Sequence, residues 1–208
     1  MATRRLSSID LKIVILGSAS VGKTSIINRY CNGIFQEETI ATVGAGFFTH
    51  TVMVDESEVT LMIWDTAGEE RFRSVAPSLL RGASGLILAY DMTNKVSFDD
   101  LDIYIEMFLD TVSVNVNEDL PVLLLANKCD LSPLDRAVDA ASAEEWRRKN
   151  KIKYSAEISA KTGVGIEKAF DDFVRFLSAP EHFQESPTLH YDVVNGNQDS
   201  NSSDFCGC

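Results

Sequence analysis

The residues best suited to chemistry are Gly17-Ser18-Ala19-Ser20-Val21-Gly22-Lys23-Thr24, which fit G-x-x-x-x-G-K-[ST] at every fixed position. A loop of this spacing turns successive backbone N–H groups toward one concavity. A helix leaving it adds about half a positive charge there. The matching guest is a polyphosphate, with Lys23 reaching the β- and γ-oxygens and the Thr24 hydroxyl holding Mg²⁺. A glycine turn with an incidental lysine is the plainer alternative, and the strand and helix expected on either side argue against it. Asp65-Thr66-Ala67-Gly68 comes next. An aspartate at a strand's carboxyl end can hold Mg²⁺ through water, and a glycine there lets its N–H approach a terminal phosphate. D-x-x-G is a common loop sequence on its own, so its weight comes from standing one hairpin after the phosphate loop. In Asn127-Lys128-Cys129-Asp130, the Asp130 carboxylate can accept from guanine's N1–H and exocyclic amine together, an arrangement that adenine lacks. The alternative is a polar loop after a strand. Finally, Cys206 and Cys208 close the chain, where thiols suit lipid attachment and two chains give stable anchoring. Unmodified, oxidation-prone cysteines are the other reading.

These groups need elements to position them. Leu11–Leu16 predicts a buried strand and Ser25–Cys31 a helix. Phe35–Gly46 has no clear period and predicts a mobile loop. Phe47–Val54 and Val59–Trp64 predict an antiparallel edge hairpin around a turn at Asp55-Glu56-Ser57. Gly85–Tyr90 and Val122–Ala126 predict two further strands. Between them Ser97–Val116 predicts a helix opened by Ser97, with Phe98, Leu101, Ile105, Phe108, Leu109 and Val112 inward. Ser142 and Glu145 have capping-box spacing for a helix through Lys149. A strand over Lys153–Ile158 and a helix over Gly165–Ser178 follow, the helix burying Ile166, Ala169, Phe170, Phe173 and Leu177. Alternating strands and helices predict an α/β fold: six strands, mostly parallel with one antiparallel edge, and helices on both faces.

Bulk properties narrow the classes. The 208 residues, 45% hydrophobic, suit one domain with a tail. A net charge of -12 weighs against nucleic acid as a partner. No apolar run is long enough to span a membrane. Met1–Asp10 lacks the apolar core of a secretory signal. The four cysteines, with Cys31 and Cys129 as small packed residues, are too scattered for a disulfide framework. The chain reads as cytosolic. From Pro180 onward there is no Lys or Arg, and a disordered tail is expected. The boundaries are therefore 1–10 as an extension, 11–179 as the domain and 180–208 as the tail.

Together, Gly17–Thr24, Thr42-Val43-Gly44, Trp64–Gly68, Asn127–Asp130, Ser159-Ala160-Lys161 and the terminal Cys-x-Cys resemble the Rab branch of the Ras-like small GTPases. Glu70–Arg73, Arg81-Gly82 and Tyr90–Thr93 are closer to Rabs than to other branches. The resemblance implies the P-loop small GTPase fold, GTP/GDP and Mg²⁺ as cofactors, and a switch that regulates vesicle traffic. It implies that Ser20, Val21, Gly22, Lys23, Thr24 and Ser25 cradle the phosphates and that Phe35 stacks on the base. Asn127, Lys128 and Asp130 would form the guanine pocket, closed by Ser159, Ala160 and Lys161. Thr24 and Thr42 would ligate the metal, with Asp65 acting through water. Lys23, Gly68 and Glu69 would serve hydrolysis. Phe47, Trp64 and Leu79 would form the effector surface, and Cys206 and Cys208 the double geranylgeranylation site. Implied partners are effectors, an exchange factor, a GTPase-activating protein, Rab escort protein with its prenyltransferase, and a GDP-dissociation inhibitor. The implied state is a monomer cycling between cytosol and the cytoplasmic face of intracellular membranes.

Departures from the family pattern sharpen these expectations. Glu69 stands where the family usually has glutamine. A carboxylate accepts but cannot donate to charge developing on the γ-phosphate, so slow hydrolysis is expected. Ala19 and Ser20 replace glycines common in the superfamily, and the Ala19 methyl narrows the space beside the γ-phosphate. Thr39 replaces a tyrosine that can fold over the phosphates. Leu79 replaces an aromatic, and Ala45-Gly46 a larger acidic pair, so effector choice should differ. The runner-up reading is a constitutively GTP-loaded scaffold that recruits effectors without hydrolysis. A generic ATPase is disfavoured by Asp130 and Ser159–Lys161.

Overall fold

The computed structural model describes residues 8–37, 41–68, 74–112 and 120–179. Strands β1 (Ser8–Leu16), β2 (Ala45–Val54), β3 (Ser57–Thr66), β4 (Gly85–Asp91), β5 (Leu120–Asn127) and β6 (Ile152–Glu157) form one sheet in the order β2-β3-β1-β4-β5-β6. Among the described residues only β2 runs antiparallel, pairing with β3 from Ala45↔Thr66 to Val54↔Ser57. All other neighbours are parallel. The α/β sheet with one antiparallel edge is thus the observed architecture. The hairpin turn is tighter than expected, since Ser57 already belongs to β3.

Among the described residues six α-helices cover the sheet: α1 (Lys23–Asn32), α2 (Ala76–Leu80), α3 (Lys95–Asp99), α4 (Leu101–Thr111), α5 (Ala140–Lys149) and α6 (Ile166–Leu177). Successive side chains on a strand point to opposite faces, which divides β1 cleanly. Ile13 and Ile15 pack with Ile26, Ile27, Phe170 and Phe173 from α1 and α6. Val14 and Leu16 pack with Phe98, Leu101, Ile105 and Phe108 from α3 and α4. Burial on both faces explains why β4 reads as an unbroken apolar run.

Three sequence expectations need correction. The helix expected over Ser97–Val116 is two helices, because Asn94 opens α3 by accepting from the Val96 N–H, and the chain re-starts at Leu101. Ser97 instead is buried and bonds back to the Asp91 and Asn94 carbonyls. Leu109 is 40% exposed, and Tyr104 takes the inward position. The cap of α5 is Asp139, which accepts from both the Ser142 N–H and its hydroxyl, so Ser142 lies inside the first turn. The inward set of α6 is as expected. Among the described residues, no helix is long and apolar enough to cross a membrane.

Candidate nucleotide site

The carboxyl ends of β1, β3, β4 and β5 meet at one edge of the molecule. There the helix after β1 goes to one face and those after β3 and β4 to the other, the place where open α/β sheets bind ligands. A cleft of about 440 Å³ opens at this point, within the range of small-molecule sites. Its lining gathers Ser20, Gly22, Lys23, Thr24, Ser25, Phe35, Thr42, Gly68, Asn127, Lys128, Asp130, Ala160 and Lys161. Residues named from six separate stretches of sequence therefore share one cavity. Val21, Asp65 and Ser159 do not line it. The Val21 side chain is in the core, leaving its backbone to serve the loop, and Ser159 stands fully buried behind Asp130. Glu69, Thr39, Cys206 and Cys208 lie outside the described residues.

The end of the cleft at Gly17–Thr24 is shaped by backbone. Gly22 caps α1 at φ 95, in the left-handed region that favours glycine. A Cβ there would meet the Asn127 amide nitrogen at 2.5 Å. A Cβ on Gly68 would lie 2.4 Å from Lys23 Nζ and 2.5 Å from the Ser18 carbonyl, so β3 can lean against the loop only through a glycine. Ser20 holds φ 62 despite its side chain, keeping the conformation that a glycine would enter without strain. Lys23 is 6% exposed and donates to the Gly17 and Ser18 carbonyls at 2.7 and 2.9 Å. Burial draws its ammonium down to about 8, opposed by the Asp65 carboxylate.

Behind the loop three oxygens converge. Thr24 Oγ1 donates to Asp65 Oδ2 at 2.6 Å, Thr42 Oγ1 does so at 3.3 Å, and the two hydroxyls are 3.0 Å apart. Asp65 is 1% exposed, and its Oδ1 is buried without a hydrogen-bond partner. Burial raises the carboxyl above its ordinary value, against the bonds from Thr24 and Thr42 and the charge of Lys23. An orphaned carboxylate oxygen beside two hydroxyls is a donor set for a hard, oxygen-seeking cation, and the residues fit Mg²⁺. Among the described residues, no group of three or more His, Cys, Asp and Glu is gathered for a metal.

The end of the cleft at Asn127–Asp130 and Ala160-Lys161 is shaped by side chains tying distant backbone together. Asn127, 2% exposed, donates from Nδ2 to the Val21 carbonyl at 2.8 Å and accepts from the Ala160 N–H at 3.0 Å. Both ends of the amide are thereby used by protein, so Asn127 joins the Gly17–Thr24 loop to the Ser159–Lys161 loop. Ser159 Oγ donates to Asp130 Oδ1 at 2.6 Å and accepts from the Thr162 N–H. Lys128 takes φ 73 and pairs with Asp91 at 2.6 Å. Lys161 reaches Glu37 across the mouth at 3.3 Å. Sequence reading missed Gln36, Glu37, Ala41, Thr66 and Leu131 in the lining. Of these only Leu131, an apolar residue directly after Asp130, carried a local signal. On the outer surface Phe47 is 51% exposed and its ring lies 5.0 Å from that of Trp64. Trp64 and Leu79 are partly buried against the core beneath.

Similarity to known proteins agrees with this geometry. The model of the Ras family matches residues 12–179. "Ras-related protein Rab-7a" of Paramecium octaurelia is 41% identical over 174 residues, covering 84% of each chain. "Ras-related protein Rab7" of Drosophila melanogaster is 44% identical over 161 residues, covering 77% of this chain and 76% of its own. "Ypt/Rab-type GTPase avaA" of Emericella nidulans is 38% identical over 209 residues, covering 100% of both. These relatives do not favour the scaffold reading. The chain belongs to the Ras family and, within it, is a Rab small GTPase, a guanine-nucleotide-operated switch of vesicle traffic.

Proposed function

We propose that the cleft holds GTP or GDP with Mg²⁺ through the residues described above, and that the switch belongs with the Rab7/Ypt7-named relatives. The observation that carries the site assignment is the Asp65 carboxylate, whose Oδ2 accepts from the Thr24 and Thr42 hydroxyls while its buried Oδ1 has no partner. When bound, the metal supplies positive charge that neutralises the β- and γ-phosphate oxygens. Lys23 adds a fixed cation at the loop, and the Gly68 N–H faces the terminal phosphate. Phe35 and Lys161 flank the base while Asp130, held by Ser159, accepts its N–H groups. Thr24→Asn and Lys23→Ala should each weaken Mg²⁺-dependent nucleotide retention by about a hundredfold. Retention as in wild type would sink the assignment.

Four finer readings go with it. The guanine-nucleotide domain runs to residue 179 and takes in Ser8–Asp10 of the expected 1–10 extension, because they pair with β3, and the 180–208 tail follows it. Hydrolysis is slow because Glu69 can accept but not donate a hydrogen bond. Single-turnover hydrolysis beside Glu69→Gln tests this: a faster Gln variant and co-purified GTP support the brake, whereas equal rates and bound GDP overturn it. Cys206 and Cys208 take two prenyl chains through Rab escort protein and its prenyltransferase, placing the protein on the cytoplasmic face of an intracellular membrane. The surface of Phe47, Trp64 and Leu79 then reads out the nucleotide state to effectors. Loss of both cysteines should move the protein to the soluble fraction, and unchanged fractionation would refute the lipid reading.

A further inference from the structure

We propose that Arg29 is a positioning residue for the guanine base, one guanidinium holding both walls of the base end of the cleft. Arg29 lies in the last turn of α1. Its Nε donates to the Ala160 carbonyl at 2.9 Å and its Nη2 to the Lys161 carbonyl at 2.6 Å. Its Nη1 donates to the Gly33 carbonyl at 2.8 Å. Ala160 and Lys161 line one side of the cleft, and Gly33 stands two residues before Phe35 on the other. Arg29 does not line the cleft itself; it acts through the backbone that does.

The chemistry explains why this residue type stands here. A planar guanidinium presents five donors in a fixed fork, so three carbonyls from two stretches of chain can be held at once. A lysine offers a point charge on a flexible stem and cannot reproduce that geometry. The cation also sits at the carbonyl end of α1, where its charge is favourable. Because α1 begins at Lys23 and Thr24, the bonds close a ring. The Val21 carbonyl receives Asn127, Asn127 receives the Ala160 N–H, the Ala160 carbonyl receives Arg29, and α1 returns to the phosphate loop. Walls fixed before binding spare the ligand the cost of ordering them.

The inference rests on the assignment of Phe35, Ala160 and Lys161 to the base, and its test separates the two. In the full-length protein, release of fluorescent GDP and GTP is measured for wild type, Arg29→Ala and Arg29→Lys, with ATP and GTP as competitors. Arg29→Ala should speed release of both nucleotides by a similar factor, about tenfold or more. Single-turnover hydrolysis of pre-bound GTP should change by less than about twofold, because the phosphate groups keep their contacts. Arg29→Lys should fall between the two. Unchanged release in a variant that melts as wild type overturns the proposal. So does a Lys variant equal to wild type, which would make charge alone sufficient. Faster GTP release with GDP unaffected would place the effect at the phosphates and also overturn it. If Arg29→Ala fails to fold, the Lys variant decides. Wild type yielding its nucleotide to ATP as readily as to GTP would instead fell the base assignment, and the inference with it.

Discussion

At the end of the cleft beside Lys23 most polar groups come from one unbroken run, Gly17–Thr24, joined by Thr42 and the segment after β3 that leans on the loop through Gly68. At the base end they come from residues more than a hundred positions apart, with Asn127 bonding Val21 and Arg29 bonding Ala160 and Lys161. The first end is written in backbone conformation and the second in side chains that bridge loops. A motif can therefore announce the phosphate site by itself, whereas the base site exists only once the sheet has brought β1 and β5 to the same edge. The two ends are also linked, since a Cβ on Gly22 would strike the Asn127 amide.

That link sets the order of effects. Gly22→Ala should be the most damaging small change, straining φ 95 and pushing Asn127 off the Val21 carbonyl. A cost of about 3 kcal/mol, roughly a hundredfold in nucleotide retention, is expected. A variant that keeps its nucleotide would show that the ends are independent. Asn127→Ala leaves the Val21 carbonyl and the Ala160 N–H without their partner in a buried place, which costs about 2 kcal/mol. It should lower both the melting temperature and the preference for GTP over ATP, and a loss of preference without loss of stability would separate reading from bracing. Ser159→Ala removes one hydroxyl that serves Asp130 and Thr162, at about 1 kcal/mol. Guanine affinity should fall while Mg²⁺ dependence is unchanged, so an altered Mg²⁺ requirement would contradict the division between the ends.

The smallest effect concerns acid. Burial alone would raise the Asp91 carboxyl, but the bonds from Lys128 and Thr93 outweigh it and hold the group below its ordinary 3.8. With the folded value below the unfolded one, the stabilisation is complete above the unfolded value. It is lost as pH falls through the folded value. Asp91→Asn should therefore cost about 1 kcal/mol near neutrality and progressively less below pH 3.8. Melting curves over that window check it, and a gap that widens toward acid would reverse the sign.

Much of the fold was legible because apolar runs buried on both faces leave a simple signature, as in Gly85–Asp91. The boundary errors share one cause. At Asn94 and Asp139 a short polar side chain captures a backbone N–H a few residues before the expected start. Ser97 and Ser142 resemble caps in sequence, and only the bonds actually formed distinguish them.

By itself the sequence determined the phosphate loop, the alternation of strands and helices, and the residues placed at the strand ends, because these depend on local conformation and periodicity. The tertiary structure decided that Asn127 faces protein on both sides of its amide, that Val21 and Ser159 stand behind the cleft, and that Asp65 keeps one oxygen without a partner. It also decided that Arg29 reaches across to Ala160 and Lys161. Those outcomes turn on which groups meet after folding. A hydrogen bond is directional and short-ranged, so no pattern along the chain records a partner 131 residues away.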